Sequence, residues 1–427
     1  MLDIKFIREN PDKIKQALKS RGVNFDVDHL IKIDGGRRLK TKEVDDTRAA
    51  HNKLSDEIAK LKGEEKKQKV EESKNLKDLL GKLEVELRSL EEEFTRLMYQ
   101  VPNLPLDDVP VGKNENDNKV IREEGKKRKF GFKPRDYMEI SSALEVIDTK
   151  RAAKVAGSRF GYLKREAVLL EFALVQFAFA HLQKKYGFVP VIPPVLIKDE
   201  IMRGMGYVDS KEDREERYFL EKDKLYLVGT AEQSIGPIHA DEILEESSFP
   251  RRDVGFSTCF RREAGSYGKD THGILRVHQF DKVEMVTFSL PENSREEHAL
   301  MLEAQEELVQ ALKIPYRVVA LCIDDLSQPS AATYDIESWL PGQNEGKGQY
   351  RETHSTSNTT DFQARRLNIK VRRKDGKTEF IHMLNGTAFA IGRTLIAILE
   401  NYQQEDGSVK IPEVLQKYMG GLTIIKR

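Results

Sequence analysis

The feature that most restricts the fold of this chain is a heptad seam. Leu76, Leu80, Leu83, Leu87, Leu90, Phe94 and Leu97 follow one another at alternating steps of four and three. An apolar period of 3.5 residues is satisfied by a long helix packed along its length against another helix. A second seam runs upstream through Val44, Thr47, His51, Leu54, Ile58 and Leu61, and the stretch between, KGEEKKQKVEES (62–73), has no seam. Two long helices folded back as an antiparallel hairpin fit this pattern best. From periodicity alone the hairpin reads as a dimerisation rod or spacer more readily than as a binding element. Charge does not separate the readings, because residues 37–99 hold 16 basic and 15 acidic side chains. Only the tip is biased, with Lys60, Lys62, Lys66, Lys67 and Lys69 against Glu64 and Glu65. A basic tip suits a phosphate backbone and a solvated turn equally.

The segment VPNLPLDDVPVG (101–112) has three prolines and no period, which marks a linker. It predicts a helical domain over 1–105 and a second domain over 106–427. In the second domain the pattern is mixed. Helices are expected near 164–185, 294–312 and 387–402, and short β-rich runs such as FVPVIPP and LYLVGT lie between them. No strand–helix crossover repeats, so the fold class is α+β rather than a doubly wound sheet. There is no P-loop and no GxGxxG sequence. The run Lys126–Lys129 looks like a nuclear address but sits between ordered segments. The apolar run FALVQFAFAHLQ (172–183) is too short for a bilayer and reads as a buried helix, so no membrane partner is expected. Lys plus Arg and Asp plus Glu both number 71, so any nucleic-acid site must be a local patch. The two cysteines, Cys259 and Cys322, make no disulfide framework, and no Cys/His cluster has zinc spacing, so no zinc is expected. With an N-terminus, MLDIKFIREN, unlike a secretory signal or transit peptide, the expected location is the cytoplasm.

Chemistry concentrates in FRREAGSYGKDTHGILRVHQF (260–280). Two short strands joined by a long loop bearing Gly265, Gly268 and Gly273 would give this pattern, the second strand beginning near Ile274. Alone, it reads equally well as a salt-bridged hairpin. Four further segments change the balance: GFVPVIPP (187–194), TAEQ (230–233), RETHSTSNTTDFQARR (351–366) and NGTAFAIGRTLIAILENYQ (385–403). Together they resemble the three signature motifs of class II aminoacyl-tRNA synthetases, and within that class the seryl-tRNA synthetase family. Motif 1 resembles 187–194, motif 2 resembles 258–284 and motif 3 resembles 385–403. The N-terminal MLDIKFIREN and the helical hairpin are also similar to that family, so the resemblance covers nearly the whole chain.

The resemblance implies an antiparallel active-site sheet flanked by helices, a homodimer joined through motif 1, and an N-terminal arm that grips tRNA-Ser. It implies ATP-dependent ligation of L-serine to tRNA-Ser through seryl-adenylate, and it leaves tRNA-Sec open as a second acceptor. Attack by a carboxylate on the α-phosphorus needs no dedicated base; it needs positioning and charge neutralisation, hence arginines and a metal. Arg261 and Arg393 are the implied catalytic residues. The implied ATP contacts are Arg261, Arg262, Glu263, Arg276, Val277, Phe280, Glu352, Thr353, His354, Ser355 and Arg393. In that scheme Arg261 bridges the serine carboxylate and the α-phosphate, Glu263 accepts from the adenine amino group and Phe280 stacks on adenine. Arg393 covers the other face of the base. Glu352 and Ser355 hold Mg²⁺ with the ATP. The implied serine pocket is Thr230, Ala231, Glu232, Arg261, Glu284, Asn385 and Thr387, with Glu232 on the substrate ammonium and Glu284 and Thr387 on its hydroxyl.

The sequence departs from the family pattern in places. His272 stands where motif 2 usually has arginine, Thr353 and His354 replace a small or aliphatic pair, and Thr356 replaces a common cysteine. The stretch near 203–212 lacks a glycine-threonine-glycine run. Two other readings stay open at this level: a ligase that loads a carrier other than tRNA, which the long arm argues against, and an inactive RNA-binding relative, which would not require the complete set of charged motif residues.

Overall fold

The computed structural model describes residues 1–263 and 272–427; Gly265 and Gly268 of the expected loop lie outside the described residues. The chain divides into two compact units, Met1–Pro102 and Asn103–Arg427.

The first unit opens with α1 (Ile4–Glu9) and α2 (Pro11–Ser20), followed by the long helices α3 (Val27–Ile58) and α4 (Gly63–Gln100). Asp26 starts α3 by accepting from the His29 backbone N–H, which satisfies one of the unpaired donors of the first turn. Both seams are buried or half-buried against each other, with Val44, Leu54 and Leu97 closed off from water. Ion pairs cross between the helices, Arg48 to Glu84 at 2.8 Å and Lys40 to Glu86 at 2.9 Å. Exposed pairs of this kind add little stability each, and the pair of Lys69 on α4 with Glu57 on α3 runs in the opposite sense. The unseamed stretch 62–73 belongs almost entirely to α4, and the non-helical turn is only residues 59–62. Its Glu, Lys and Gln residues are strong helix formers, and Glu64–Lys67 and Lys69–Glu72 add pairs three residues apart.

The second unit is built on an eight-stranded sheet: β1 (Lys119–Glu124), β2 (Val189–Val191), β3 (Arg251–Phe260), β4 (Gln279–Ser289), β5 (Tyr316–Ala320), β6 (Ala332–Leu340), β7 (Gln349–Asn358) and β8 (His382–Ala390). Its spatial order is β1-β5-β6-β7-β8-β4-β3-β2. Neighbours are antiparallel except β2, which runs parallel to β3 along the edge. The helices that matter here are α5 (Tyr137–Leu144), α6 (Glu166–Tyr186), α7 (Ser294–Ala311), α8 (Phe362–Leu367) and α9 (Ile391–Tyr402). One face of the sheet is covered: Leu174 of α6, Met301 of α7 and Leu395 of α9 share a core with Val283, Met285 and Phe389 of the sheet. The alternation of β4 therefore turns Phe280, Lys282 and Glu284 to the other face. By length and composition α6 could cross a membrane, but Leu170, Leu174, Phe177 and Leu182 are buried in this core, which makes it a core helix.

Two local expectations change. The second strand of the hairpin begins at Gln279, and Ile274–His278 is irregular. Residues 387–390 complete β8, and the helix starts at Ile391. The basic run 126–129 is partly absorbed into packing. Lys127 lies over Trp339 at 4.1 Å and Tyr350 at 4.5 Å, and Arg128 donates to the carbonyls of Asn401 and Gln403.

Candidate active site

The other face of the sheet, covered at one end where Ala231, Ile235 and Leu367 pack with Val286 and Phe288, holds a pocket of about 220 Å³ in which Arg261, Glu263, Val277, Phe280, Lys282, Glu352, Thr353, Thr387 and Arg393 converge. A second, more open lobe of about 420 Å³ continues past Arg276, Glu352 and Arg393. Arg261 leaves the end of β3 with its Nε donating to the Gly229 carbonyl at 3.0 Å and its guanidinium 5.4 Å from the centre of the Phe280 ring. Glu263 has a left-handed backbone, φ 49°, which is uncommon outside glycine. Its carbonyl accepts from Arg159 at 2.9 Å, and its carboxylate pairs with Arg276 at 3.4 Å.

The side of the pocket expected for an amino acid is buried and acidic. Glu232 opens a short helix, Glu232–Ile235, and is 4% exposed. Tyr207 donates to both of its oxygens, at 2.9 and 3.0 Å, and Gln363 of α8 donates at 3.2 Å. Burial, then the nearby Glu284, push the Glu232 carboxyl up to about 7. Glu284 pairs with the buried Lys282 at 2.5 Å, and Thr387 donates to it at 3.4 Å across the β4–β8 ladder. Asn385 lies two residues from Thr387 on β8, and its carbonyl accepts from Thr356 at 3.0 Å. Thr230 is buried beside Glu232, whereas the Ala231 side chain belongs to a core cluster with Ile235 and Met205.

At the other end, an irregularity in the β6–β7 ladder brings two oxygen groups together. The register runs Ile336 to His354, then Glu337 to Glu352, leaving Thr353 as an extra residue. Residues three apart on a regular strand face opposite ways, and this bulge returns Glu352 and Ser355 to one face. Glu352 is half-exposed yet sits in a concave wall of cations. Desolvation pushes its carboxyl up, but Arg393, in an ion pair at 3.0 Å, outweighs this and holds it below the ordinary range. Asp335, across from Ser355, is pushed well above it by burial and then by Glu352.

Two implied contacts lie elsewhere. The His354 side chain is 2% exposed, bonded to Thr353 and packed 5.8 Å from Phe389 on the core side of β7. Arg262 points away from the pocket, over Tyr218 at 4.5 Å, with its Nε on the Arg217 carbonyl. Sequence reasoning also missed four neighbours of the site. Lys282 was legible, since it alternates between Phe280 and Glu284. Tyr207 and Gln363 were not, because they reach Glu232 from distant segments. Tyr137 was not either: its hydroxyl donates to the His272 carbonyl at 3.3 Å and accepts from the Ile274 N–H at 3.1 Å. Gly273 between them has φ 80°, and a Cβ there would stand 1.8 Å from that hydroxyl oxygen. Tyr137 thereby fixes the approach to β4.

The raised carboxyl of Glu232 sets a pH dependence. A carboxylate must be ionised to accept an ammonium ion, so protonation near neutral pH removes the acceptor. The sign follows: kcat/KM for an amino acid substrate should rise with pH through about 7 and level off above it. The same raised pKa means that ionising Glu232 without a bound cation costs folded-state stability as pH rises through it. Amino-acid-dependent pyrophosphate exchange measured across neutral pH checks this, and a flat profile would remove Glu232 from the ammonium site.

Comparison with known proteins adds the following. Residues 1–105 match the seryl-tRNA synthetase N-terminal domain, and residues 217–402 match the tRNA synthetase class II core domain (G, H, P, S and T). A serine–tRNA ligase of Thermodesulfovibrio yellowstonii is 47% identical, covering 98% of this chain and 99% of its own length. One from Dictyoglomus turgidum is 45% identical, covering 98% of each. Among solved structures, seryl-tRNA synthetase from Pyrococcus horikoshii complexed with ATP superposes with a TM-score of 0.89 at 43% identity, covering 100% of this chain and 99% of that one. The cytoplasmic serine–tRNA ligase of Naegleria fowleri in complex with AMP gives 0.86 at 35% identity, with the same coverage.

Proposed function

The chain belongs to the seryl-tRNA synthetase family, and from that premise we propose how its pocket carries out the reaction. The chain is an enzyme that joins L-serine to tRNA at the expense of ATP. One observation carries the residue roles: Arg261 shares one recess with Phe280, Glu263 and Arg393 and with Lys282 and Thr387, the two residues that hold the buried Glu284. Serine enters with its ammonium on Glu232, held in place by Tyr207 and Gln363, and with its hydroxyl toward Glu284 and Thr387. A pocket built around a hydroxyl rejects alanine, because its polar groups would be left unpaired. The serine carboxylate attacks the α-phosphorus, the bond to the bridging oxygen breaks, and pyrophosphate leaves. Arg261 spans both oxyanions with its planar fork, and Phe280 stacks on the base. A terminal ribose hydroxyl of tRNA then attacks the seryl carbonyl carbon and AMP departs.

Glu352 and Ser355 fit Mg²⁺: both offer hard oxygen donors on one face, and the neighbouring Asp335 has a buried oxygen, Oδ1, with no hydrogen-bond partner among the described residues. The ion would supply charge neutralisation on the phosphates.

The finer partners follow the same reading. We assign the grip on tRNA-Ser to the α3–α4 arm, and we place the enzyme in the cytoplasm. A homodimer through motif 1 is supported by Leu169, Phe172, Val189 and Ile192, which are 49, 53, 57 and 84% exposed on α6 and around the edge strand β2. Apolar exposure beside an unpaired strand edge invites a second copy. Ile192→Glu should shift the protein to monomer in sedimentation at micromolar concentration; an unchanged dimer would move the interface elsewhere. The activity itself is tested by pyrophosphate exchange with each of the twenty amino acids. Serine alone should support it, and exchange with none would contradict the reading.

A further inference from the structure

An open groove beside the pocket has no role so far. It runs along 211–223, measures roughly 900 Å³, and is lined by Lys211, Arg214, Arg217, Lys222 and Arg262 against three carboxylates. Arg217 is the informative residue. Its guanidinium lies 5.4 Å from the centre of the Tyr207 ring, the same tyrosine that holds Glu232. A Cβ on Gly229 would stand 3.5 Å from an Arg217 terminal nitrogen and 3.5 Å from Arg261 Nε. Two guanidiniums therefore meet at the residue without a side chain. Among the described residues the Arg217 Nε is buried with no hydrogen-bond partner. Burial and then Arg261 push its pKa down. A cation held this way is destabilising until an anion reaches it.

The identity of that anion follows from what lines which space. Arg261 faces the nucleotide pocket, whereas Arg217 lines the groove and is absent from that pocket. The second half-reaction brings further anions to this point, since the 3′-terminal ribose must reach the seryl carbonyl beside Arg261. A single-stranded RNA end carries backbone phosphates for the cations and unstacked bases for aromatic faces. The groove supplies both, with Phe219 39% exposed in its wall and the Arg262 guanidinium laid over Tyr218.

We propose that the groove along 211–223 receives the single-stranded 3′ end of the tRNA, with Arg217 holding the phosphate nearest the reacting ribose. This rests on the reading of the pocket as the adenylate site. Arg217→Gln should leave serine-dependent pyrophosphate exchange within about twofold of normal and slow single-turnover transfer from preformed seryl-adenylate to tRNA by about tenfold or more, the loss expected for one charge-assisted hydrogen bond. Arg217→Lys should recover part of the transfer rate. Lys222→Glu, at the exposed end, should slow transfer in the same selective way, and more strongly at low salt. Unchanged transfer in both Arg217→Gln and Lys222→Glu would overturn the proposal. So would a parallel loss of exchange and transfer in Arg217→Gln, which would give Arg217 to the adenylate instead. Absence of serine-dependent exchange in the unaltered protein would overturn the adenylate reading itself, and the proposal with it.

Discussion

Arg261→Ala is expected to lower serine-dependent pyrophosphate exchange by about a hundredfold or more while the protein stays folded. The side chain lines the recess beside Phe280, Lys282 and Thr387, where the proposed reaction brings a carboxylate and an α-phosphate together. Removing one preorganised donor from developing charge costs on the order of 3 kcal/mol. The folding cost should be small by comparison. Arg261 is only half-buried, and among the described residues its side chain makes one hydrogen bond, to the Gly229 carbonyl. Thermal unfolding and exchange measured on the same preparation separate the two effects. Near-normal exchange by a folded variant would refute the assignment of Arg261 to the reacting centre.

Replacing residues 40–97 with a short glycine-serine turn is expected to leave serine-dependent exchange intact and to reduce tRNA charging by about two orders of magnitude or more. The segment removed carries its own partners. Val44 and Leu54 face the α4 seam, and Lys40–Glu86 and Arg48–Glu84 are both internal to it. The base that remains keeps Ile7, Ile14, Leu18, Leu30 and Met98, all buried; it loses the pairing of His29 with Glu93 and of Arg37 with Phe94, a loss confined to the first unit. The expected loss of charging comes from phosphate contacts, each of which contributes a salt-dependent share of affinity. Binding of tRNA-Ser by the intact protein should accordingly weaken as salt rises. Among the lysines of the tip, Lys67 and Lys69 are already in ion pairs with glutamates; Lys60, Lys62 and Lys66 are the better candidates for contact. Both half-reactions should be followed in the shortened and intact proteins. Equal loss of both would make the arm structural, and full charging by the shortened form would show that it is not the tRNA-binding element.

What the sequence determined by itself is what a short-range period can encode. The heptad seams specified two long paired helices, because a 3.5-residue repeat has one economical solution. The period of two along a strand places Lys282 on the same face as Phe280 and Glu284, a neighbour that the motif resemblance passed over. The motif resemblance brought Arg261, Glu263, Glu352, Thr387 and Arg393 into consideration together, and the fold does gather them around one pocket. Local pattern stopped short where register and long-range packing take over. The extra residue at Thr353 decides that Glu352 and Ser355 share a face and that His354 turns into the core. The tyrosine that holds Glu232 and the glutamine that assists it come from loops and helices far along the chain. Tyr137 reaches the base of β4 from another helix and keeps Ile274–His278 out of the strand that their alternation suggested. The sequence set the basic run at 126–129 between ordered segments, and only the fold shows what takes it up, Lys127 lying over the rings of Trp339 and Tyr350. Each of these depends on which distant surfaces meet, and burial, charge pairing and strand register decide that only when the whole chain is packed.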